Sequence, residues 1–227
     1  MIAARLDGRT AVDASNVLIA HWPCQQVTTD DAALAEPLRL SGATTVRHSF
    51  VMRCSPLDAD LIDPSPSRLR LADLPRTADP GLWAPILPSW RAAFPPEHPD
   101  HLAVDDADAI AFFLPLIDGT ELGPLHSAST LLIDQAGVPV AGIIINVRSH
   151  ERWGGPWIAD VWRDPSLRGE GVGSMLLRRA KALVAEDGYD ALSLAVTAGI
   201  DAHRAYEREG FTVVLESWRL QLPGEAT

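Results

Sequence analysis

The stretch from Trp157 to Gly188, W-I-A-D-V-W-R-D-P-S-L-R-G-E-G-V-G-S-M-L-L-R-R-A-K-A-L-V-A-E-D-G, constrains this chain more than any other. An apolar run with β-branched and aromatic residues ends at Asp164-Pro165, a glycine-rich turn follows, and an amphipathic segment closes at Gly188. That order predicts strand, tight loop, helix. Val172, Met175, Leu176, Leu183 and Val184 fall on one helical face, with Arg178, Arg179, Lys181 and Glu186 on the other. Gly188 suits a left-handed residue just past the helix. Gly169, Gly171 and Gly173 let main-chain N–H groups converge where the helix begins and its dipole is positive, so the loop is predicted to hold an anion, most simply a phosphate. It lacks the lysine of G-x-x-x-x-G-K-[ST], and its G-x-G-x-G spacing is not the dinucleotide G-x-G-x-x-G.

Length and composition narrow the setting. The 227 residues, 47% of them hydrophobic, suffice for a substantial core in one large domain or a small and a medium one. The first ten residues carry no apolar leader segment, and the apolar runs from Ala109 to Ile117 and from Val140 to Ile145 are too short to span a bilayer, so a cytoplasmic protein that does not engage a membrane is expected. A formal net charge of −11 argues against nucleic acid as a partner and favours a cationic or neutral substrate. Cys24 and Cys54 have no metal-ligand spacing around them and are expected to be two reduced thiols.

Along the chain, Val17 to Trp22 reads as a strand, Asp30-Asp31 as a helix start, Ala32 to Leu40 as a short helix ended by Gly42, and Thr45 to Cys54 as a strand. Residues 38–54 lie over residues 206–222 at a constant offset: Gly42 meets Gly210, Val46 meets Val214, Ser49 meets Ser217, and Phe50 meets Trp218. Residues 56–67, rich in Pro and Asp, read as a linker between an N-terminal segment (1–55) and a larger domain (68–222), with 223–227 as a tail. Within the larger domain the expected elements are a strand from Arg68, a helical stretch from Pro80 to Phe94 broken at Pro85 and Pro88, and a helix capped by Asp105-Asp106 that runs to Ile117. A hairpin turning at Gly137 precedes the glycine loop. A strand from Ala191 to Thr197, a helix from Asp201 to Glu209 capped by Gly210, and one or two strands from Phe211 to Leu222 follow it. His98 and His101 read as solvated loop histidines rather than metal ligands.

Arg168, Gly171 and Gly173 match R/Q-x-x-G-x-G/A, and Tyr206 to Phe211, Y-E-R-E-G-F, matches a Y-x-x-x-G-F box; D-V-W-R-D-P is similar to a D-L-x-V-x-P strand end. On these motifs the chain resembles the GCN5-related N-acetyltransferases (GNAT) over residues 68–222, and the first 55 residues resemble a degenerate GNAT half-domain without a glycine loop. The resemblance implies an α/β (α+β) fold with a mixed central sheet, helices on both faces, and a small N-terminal α/β segment. It implies acetyl-CoA as cosubstrate, no metal, and direct acetyl transfer to a primary amine of a small molecule or peptide, with homodimerisation left open. By the same resemblance Arg168, Gly169, Glu170, Gly171, Val172, Gly173 and Ser174 would hold the pyrophosphate. The strand end at Val161, Trp162 and Arg163 would pair with pantetheine, a bulge there turning an N–H toward the thioester. Tyr206 would be the general acid that protonates the departing thiolate.

A protonated amine also needs a base, and Asp160 is the carboxylate nearest the thioester in sequence; Glu121, Glu151 and Glu216 compete. Trp153 and Trp157 are candidates to line the acceptor pocket or to pack. Two departures from the family pattern, Gly199 where asparagine is common and Arg163 where valine is usual, support an alternative: an inactive acyl-CoA-binding sensor or interaction module.

Overall fold

The structure, a computed structural model, describes residues 2–3, 10–55, 57, 68–77, 79–148 and 155–224. In chain order the elements are β1 (Ile2–Ala3), α1 (Ala11–His21), β2 (Gln26–Thr29), α2 (Ala32–Leu40), β3 (Thr44–Cys54), β4 (Arg70–Ala72), α3 (Pro80–Trp83), α4 (Leu87–Ala93) and α5 (Asp106–Ile117). There follow β5 (Thr130–Ile133), β6 (Pro139–Arg148), β7 (Gly155–Arg163), a 3-10 turn (Pro165–Leu167), α6 (Val172–Glu186), β8 (Leu192–Thr197), α7 (Ala202–Arg208) and β9 (Thr212–Gln221). The expected linker lies outside the described residues except for Leu57, as does the end of the tail.

Two compact units emerge: residues 1–52, 195–203 and 213–227 form the first, and residues 53–194 and 204–212 the second. In the first unit the strands run in the order β1-β2-β9-β3. The last strand of the chain therefore belongs with the N-terminal segment. The reason is pairing: Val27 and Thr28 of β2 lie against Leu220 and Arg219 of β9. Trp218, Leu220 and Leu222 bury themselves among Leu18, Val27, Leu34 and Leu38. The one or two strands expected between Phe211 and Leu222 are the single strand β9. The internal repeat appears as two helix–glycine–strand units, with Gly42 and Gly210 both left-handed at φ 94° and 86°.

One expected element changes type. Val17 to Trp22 is not a strand but the second half of α1, started by Thr10, whose side chain accepts from the Asp13 N–H at 3.2 Å. Ala14, Ser15 and Leu18 supply the buried face at helical spacing. The β-branched Val17 and Ile19 suggested a strand, but the cap and the buried face lie upstream of them.

In the second unit the order is β8-β7-β6-β5-β4, mixed in direction. β4, β5, β6 and β7 are antiparallel neighbours, and β7 runs parallel to β8. α3, α4 and α5 bring Trp83, Ile86, Trp90 and Phe113 onto Leu131, Ile144 and Trp162 of the sheet in one buried cluster. α6, with Val172, Met175, Leu176 and Ala180 buried, packs on β6 and β7. Gly142 has a specific cause: the Trp162 ring lies across it, and a Cβ there would stand 2.4 Å from the indole. Among the described residues no helix is long and apolar enough to cross a membrane.

Candidate active site

Asp164 ends β7 and starts the loop, its side chain accepting from the Ser166 N–H at 2.8 Å. Three amides are spent on closing the 3-10 turn and the residues after it, Leu167 N–H on Asp164 O and Arg168 N–H on Pro165 O, both at 3.0 Å, and Glu170 N–H on Leu167 O at 3.2 Å. Gly171 then stands at the helix N-cap in the left-handed conformation, φ 74°, and offers no side chain to cap α6. The amides of Val172, Gly173 and Ser174 occupy the first turn, where a helix has no internal acceptor for them. A Cβ built on Gly169, Gly171 or Gly173 meets nothing within 4 Å. The space above the helix start is thus a shallow cradle of N–H groups at the positive end of a 15-residue helix. It fits a phosphate group.

Charge around the cradle is partly spoken for. Glu170 pairs with Arg68. Arg178, on the polar face of α6, reaches Glu209 through Nε at 2.9 Å and Nη2 at 3.2 Å. Lys181 Nζ donates to the Glu209 carbonyl at 2.6 Å. Burial alone would raise the Glu209 carboxyl, but hydrogen bonds from Arg178 and Ser174 and the charges of Arg178 and Lys181 outweigh it and hold the group below its usual range. The Ser174 hydroxyl thus turns to Glu209, leaving its amide for an anion. Arg163 Nη1 lies 3.4 Å from Asp164 O.

The strand bulge falls earlier than the Val161–Arg163 position expected for it. Ile144 pairs with Asp160 and Ile145 with Ile158, so Ala159 is the extra residue of β7. The parallel ladder to β8 runs over Trp157↔Ser193 and Ile158↔Leu194, the part of β7 that precedes this bulge. Beyond the bulge, Asp160 and Trp162, two residues apart, share the face that α4 covers. Trp162 Nε1 points at Ser89 Oγ, 3.3 Å away, and Trp90 Nε1 donates to Asp160 Oδ2 at 2.8 Å. Burial pushes the Asp160 carboxyl up to about 6 even though the Trp90 indole and the Val161 N–H both stabilise its anion; the Asp100 charge adds to the rise. A carboxyl near 6 is a base at neutral pH that still accepts a proton readily.

Tyr206, on α7, packs edge-on to Phe211 with ring centroids 6.0 Å apart. Its phenol is held well above its usual range by burial and then by the charges of Asp160 and Asp100. The proton therefore stays on the oxygen, as a donor requires. The second unit brings Asp160, Tyr206 and Asp100 into one electrostatic neighbourhood.

The other candidates scatter. Trp157 is buried with the Arg148 guanidinium 4.4 Å above its ring, so it packs at the end of the β6–β7 hairpin. Trp153 and Glu151 lie outside the described residues. Glu121 is exposed in the loop after α5, and Glu216 is bound to His48 Nε2 at 2.6 Å in the first unit. His98 Nδ1 accepts from the Asp100 N–H at 3.1 Å, and His101 Nδ1 lies 2.7 Å from Phe94 O. Among the described residues no group of three or more His, Cys, Asp or Glu is placed to hold a metal. Cys24 is exposed and Cys54 buried, both free thiols. Sequence reasoning missed Trp90 and Asp100. The available signal was a tryptophan, whose indole N–H needs a partner when buried, in a short helix with few other polar groups to serve it.

Comparison with known proteins agrees with this geometry. A family model described as "Acetyltransferase (GNAT) family" matches residues 83–211. Among solved structures, a GCN5-related N-acetyltransferase from Sphaerobacter thermophilus is 20% identical, with a TM-score of 0.59 over 89% of this chain and 62% of that one. A tandem GNAT protein from the clavulanic acid biosynthesis pathway is 12% identical, with a TM-score of 0.60 over 95% of this chain and 69% of that one. A GCN5-related N-acetyltransferase from Kribbella flavida is 19% identical, with a TM-score of 0.52 over 92% of this chain and 72% of that one. At these identities the likeness is one of fold. The chain spans less than two thirds of the length of the Sphaerobacter protein. No curated protein gives a significant match.

Proposed function

The chain belongs to the acetyltransferase (GNAT) family, and we propose that it transfers an acetyl group from acetyl-CoA directly to a primary amine of a small molecule or peptide. The observation that carries this reading is Asp160: a carboxylate that follows a β-bulge, accepts a hydrogen bond from Trp90 at 2.8 Å, and bears electrostatically on the Tyr206 phenol.

Acetyl-CoA supplies an activated carbonyl on a thiol leaving group. The N–H cradle at Gly171 to Ser174 binds its pyrophosphate, and Arg168 adds charge. β7 beyond Ala159 offers its backbone to pantetheine as an added strand would, with an N–H at the bulge turned to the thioester oxygen. Asp160 takes one proton from the acceptor ammonium and passes it to solvent. As the new N–C bond forms and the C–S bond breaks, Tyr206 hands its proton to the departing sulfur and regains one from the nitrogen.

Free-thiol release with a panel of primary amines tests this. Turnover that falls at least about a hundredfold in Tyr206→Phe and Asp160→Asn is the expected result. Calorimetry that detects acetyl-CoA binding, with no turnover on any amine, would instead favour a binding module, and no binding at millimolar acetyl-CoA would overturn the assignment altogether.

A further inference from the structure

We infer that Glu209 is a positioning residue: it fixes the end of α7, and with it the Tyr206 phenol, against the first three turns of α6, the helix whose start forms the N–H cradle. This rests on the acetyl-transfer reading above and deepens it.

Glu209 stands three residues past Tyr206 in the Y-E-R-E-G-F box and takes no part in the steps above. Its surface is 5% exposed, less than that of any other described aspartate or glutamate. A carboxylate so placed is costly unless its lone pairs are filled. One face of α6 fills them, because Ser174, Arg178 and Lys181 follow one another at helical spacing. Arg178 straddles both oxygens, Nε 2.9 Å from Oε2 and Nη2 3.2 Å from Oε1, and the Ser174 hydroxyl joins the same carboxylate. Lys181 Nζ, 3.8 Å from Oε2, donates to the Glu209 carbonyl at 2.6 Å. The main chain then ties this anchor to the tyrosine: the Glu209 and Phe211 N–H groups both donate to Tyr206 O at 3.0 Å.

α7 has seven residues, none of them fully buried, so packing alone gives its end little definition. A buried ion pair adds little net stability over apolar side chains of the same volume, but a two-pronged contact between guanidinium and carboxylate admits one angle and one depth. Such a contact is suited to setting a position. The same face of α6 carries Ser174, whose amide belongs to the cradle. The pyrophosphate of the cosubstrate and the proton donor for its sulfur are therefore registered on one helix. Misplacing Tyr206 by about 1 Å would slow proton transfer without loosening the cosubstrate.

Free-thiol release and acetyl-CoA calorimetry on Glu209→Gln, an isosteric change that removes the charge, give the test. The kcat should fall at least about tenfold, while acetyl-CoA affinity stays within about threefold of the parent. Arg178→Gln removes the other side of the contact at a side chain 49% exposed, and should lower kcat in the same way. Placed in a Tyr206→Phe background, Glu209→Gln should change the residual rate by less than about threefold, because the group it positions is gone. A purely structural ion pair would instead lower Tm and leave the kcat of the folded protein at the parent value. That result, an equal loss of kcat in the Tyr206→Phe background, or a loss that comes from weakened acetyl-CoA binding overturns the inference while leaving acetyl transfer intact. Should Glu209→Gln fail to fold, Arg178→Gln, alone and with Tyr206→Phe, decides by the same criteria. Acetyl-CoA binding by the parent without turnover of any amine overturns the functional reading, and this one with it.

Discussion

Replacing Asp160 by Asn should abolish turnover and at the same time stabilise the protein at neutral pH. The Asp160 carboxyl sits at about 6 in the folded chain, against about 3.9 in an unfolded one. Below about pH 4 both states are protonated and the group contributes nothing. Between about pH 4 and 6 the unfolded chain releases its proton while the native site keeps it, so stability falls. Above about pH 6 the full penalty is present, roughly two pKa units or about 3 kcal/mol. Asparagine is isosteric, keeps an oxygen for the Trp90 N–H, and carries no charge to bury. Its amide NH2 needs a new acceptor, which offsets part of the gain. We expect the variant to be more stable by about 1–3 kcal/mol at pH 8, a rise in Tm of about 3–9 °C for a chain of this size. At pH 4.5 the charge penalty is down to about 1 kcal/mol, so the gain should be smaller there by about 2 kcal/mol. Scanning calorimetry of parent and variant at both pH values is the assay. An equal gain at the two pH values would mean that amide packing, not charge, is responsible. No gain at pH 8 would refute the burial penalty, and with it the reason for choosing Asp160 as a base.

The parent's kcat should rise with pH through about 6 as Asp160 ionises, with no loss attributable to Tyr206 until well into the alkaline range; a flat acid limb would remove Asp160 from the proton path. Gly171→Val should weaken acetyl-CoA binding at least tenfold, about 1.4 kcal/mol, and lower Tm by a few degrees, because φ 74° strains a β-branched residue. Gly188→Ala, at φ 86° past the far end of α6, should cost comparable stability and leave calorimetric affinity alone. Gly142→Ala drives a methyl to 2.4 Å from the Trp162 ring and should cost about 1–3 kcal/mol in urea melts, part of it regained by adding Trp162→Leu. Deleting residues 1–52 removes both neighbours of β9 and uncovers Trp218, Leu220 and Leu222, so the truncated chain should aggregate in sedimentation runs, and a monodisperse, fully active one would contradict this.

What the sequence made legible was governed by local rules. Gly171 and Gly188 announce backbone that other residues reach only with strain, and Asp31 and Asp105 announce helix starts through side chains that accept their own downstream amides. The amphipathic α6 follows from periodicity alone. The bulge at Ala159 was hidden because it depends on the register of β7 against β6, which no spacing within β7 records. Asp100 was hidden because its charge bears on Asp160 from a loop that lies about 60 residues upstream, a proximity no local spacing records. The membership of β9 was also illegible. Its alternation fits any sheet, and only its partners decide which.

Those partners set a clock. β9 lies between β2 and β3, yet roughly 160 residues separate the end of β3 from the start of β9 along the chain. During synthesis at about 5–20 residues per second, β2 and β3 wait roughly 8–30 s with open edges before the strand that joins them leaves the ribosome. Trp218 and Leu220 arrive last, so Leu18, Val27, Leu34 and Leu38 have nothing to close over them in the interval. The N-terminal segment is made first and finished last, and its folding is bound to a slow, long-range pairing step.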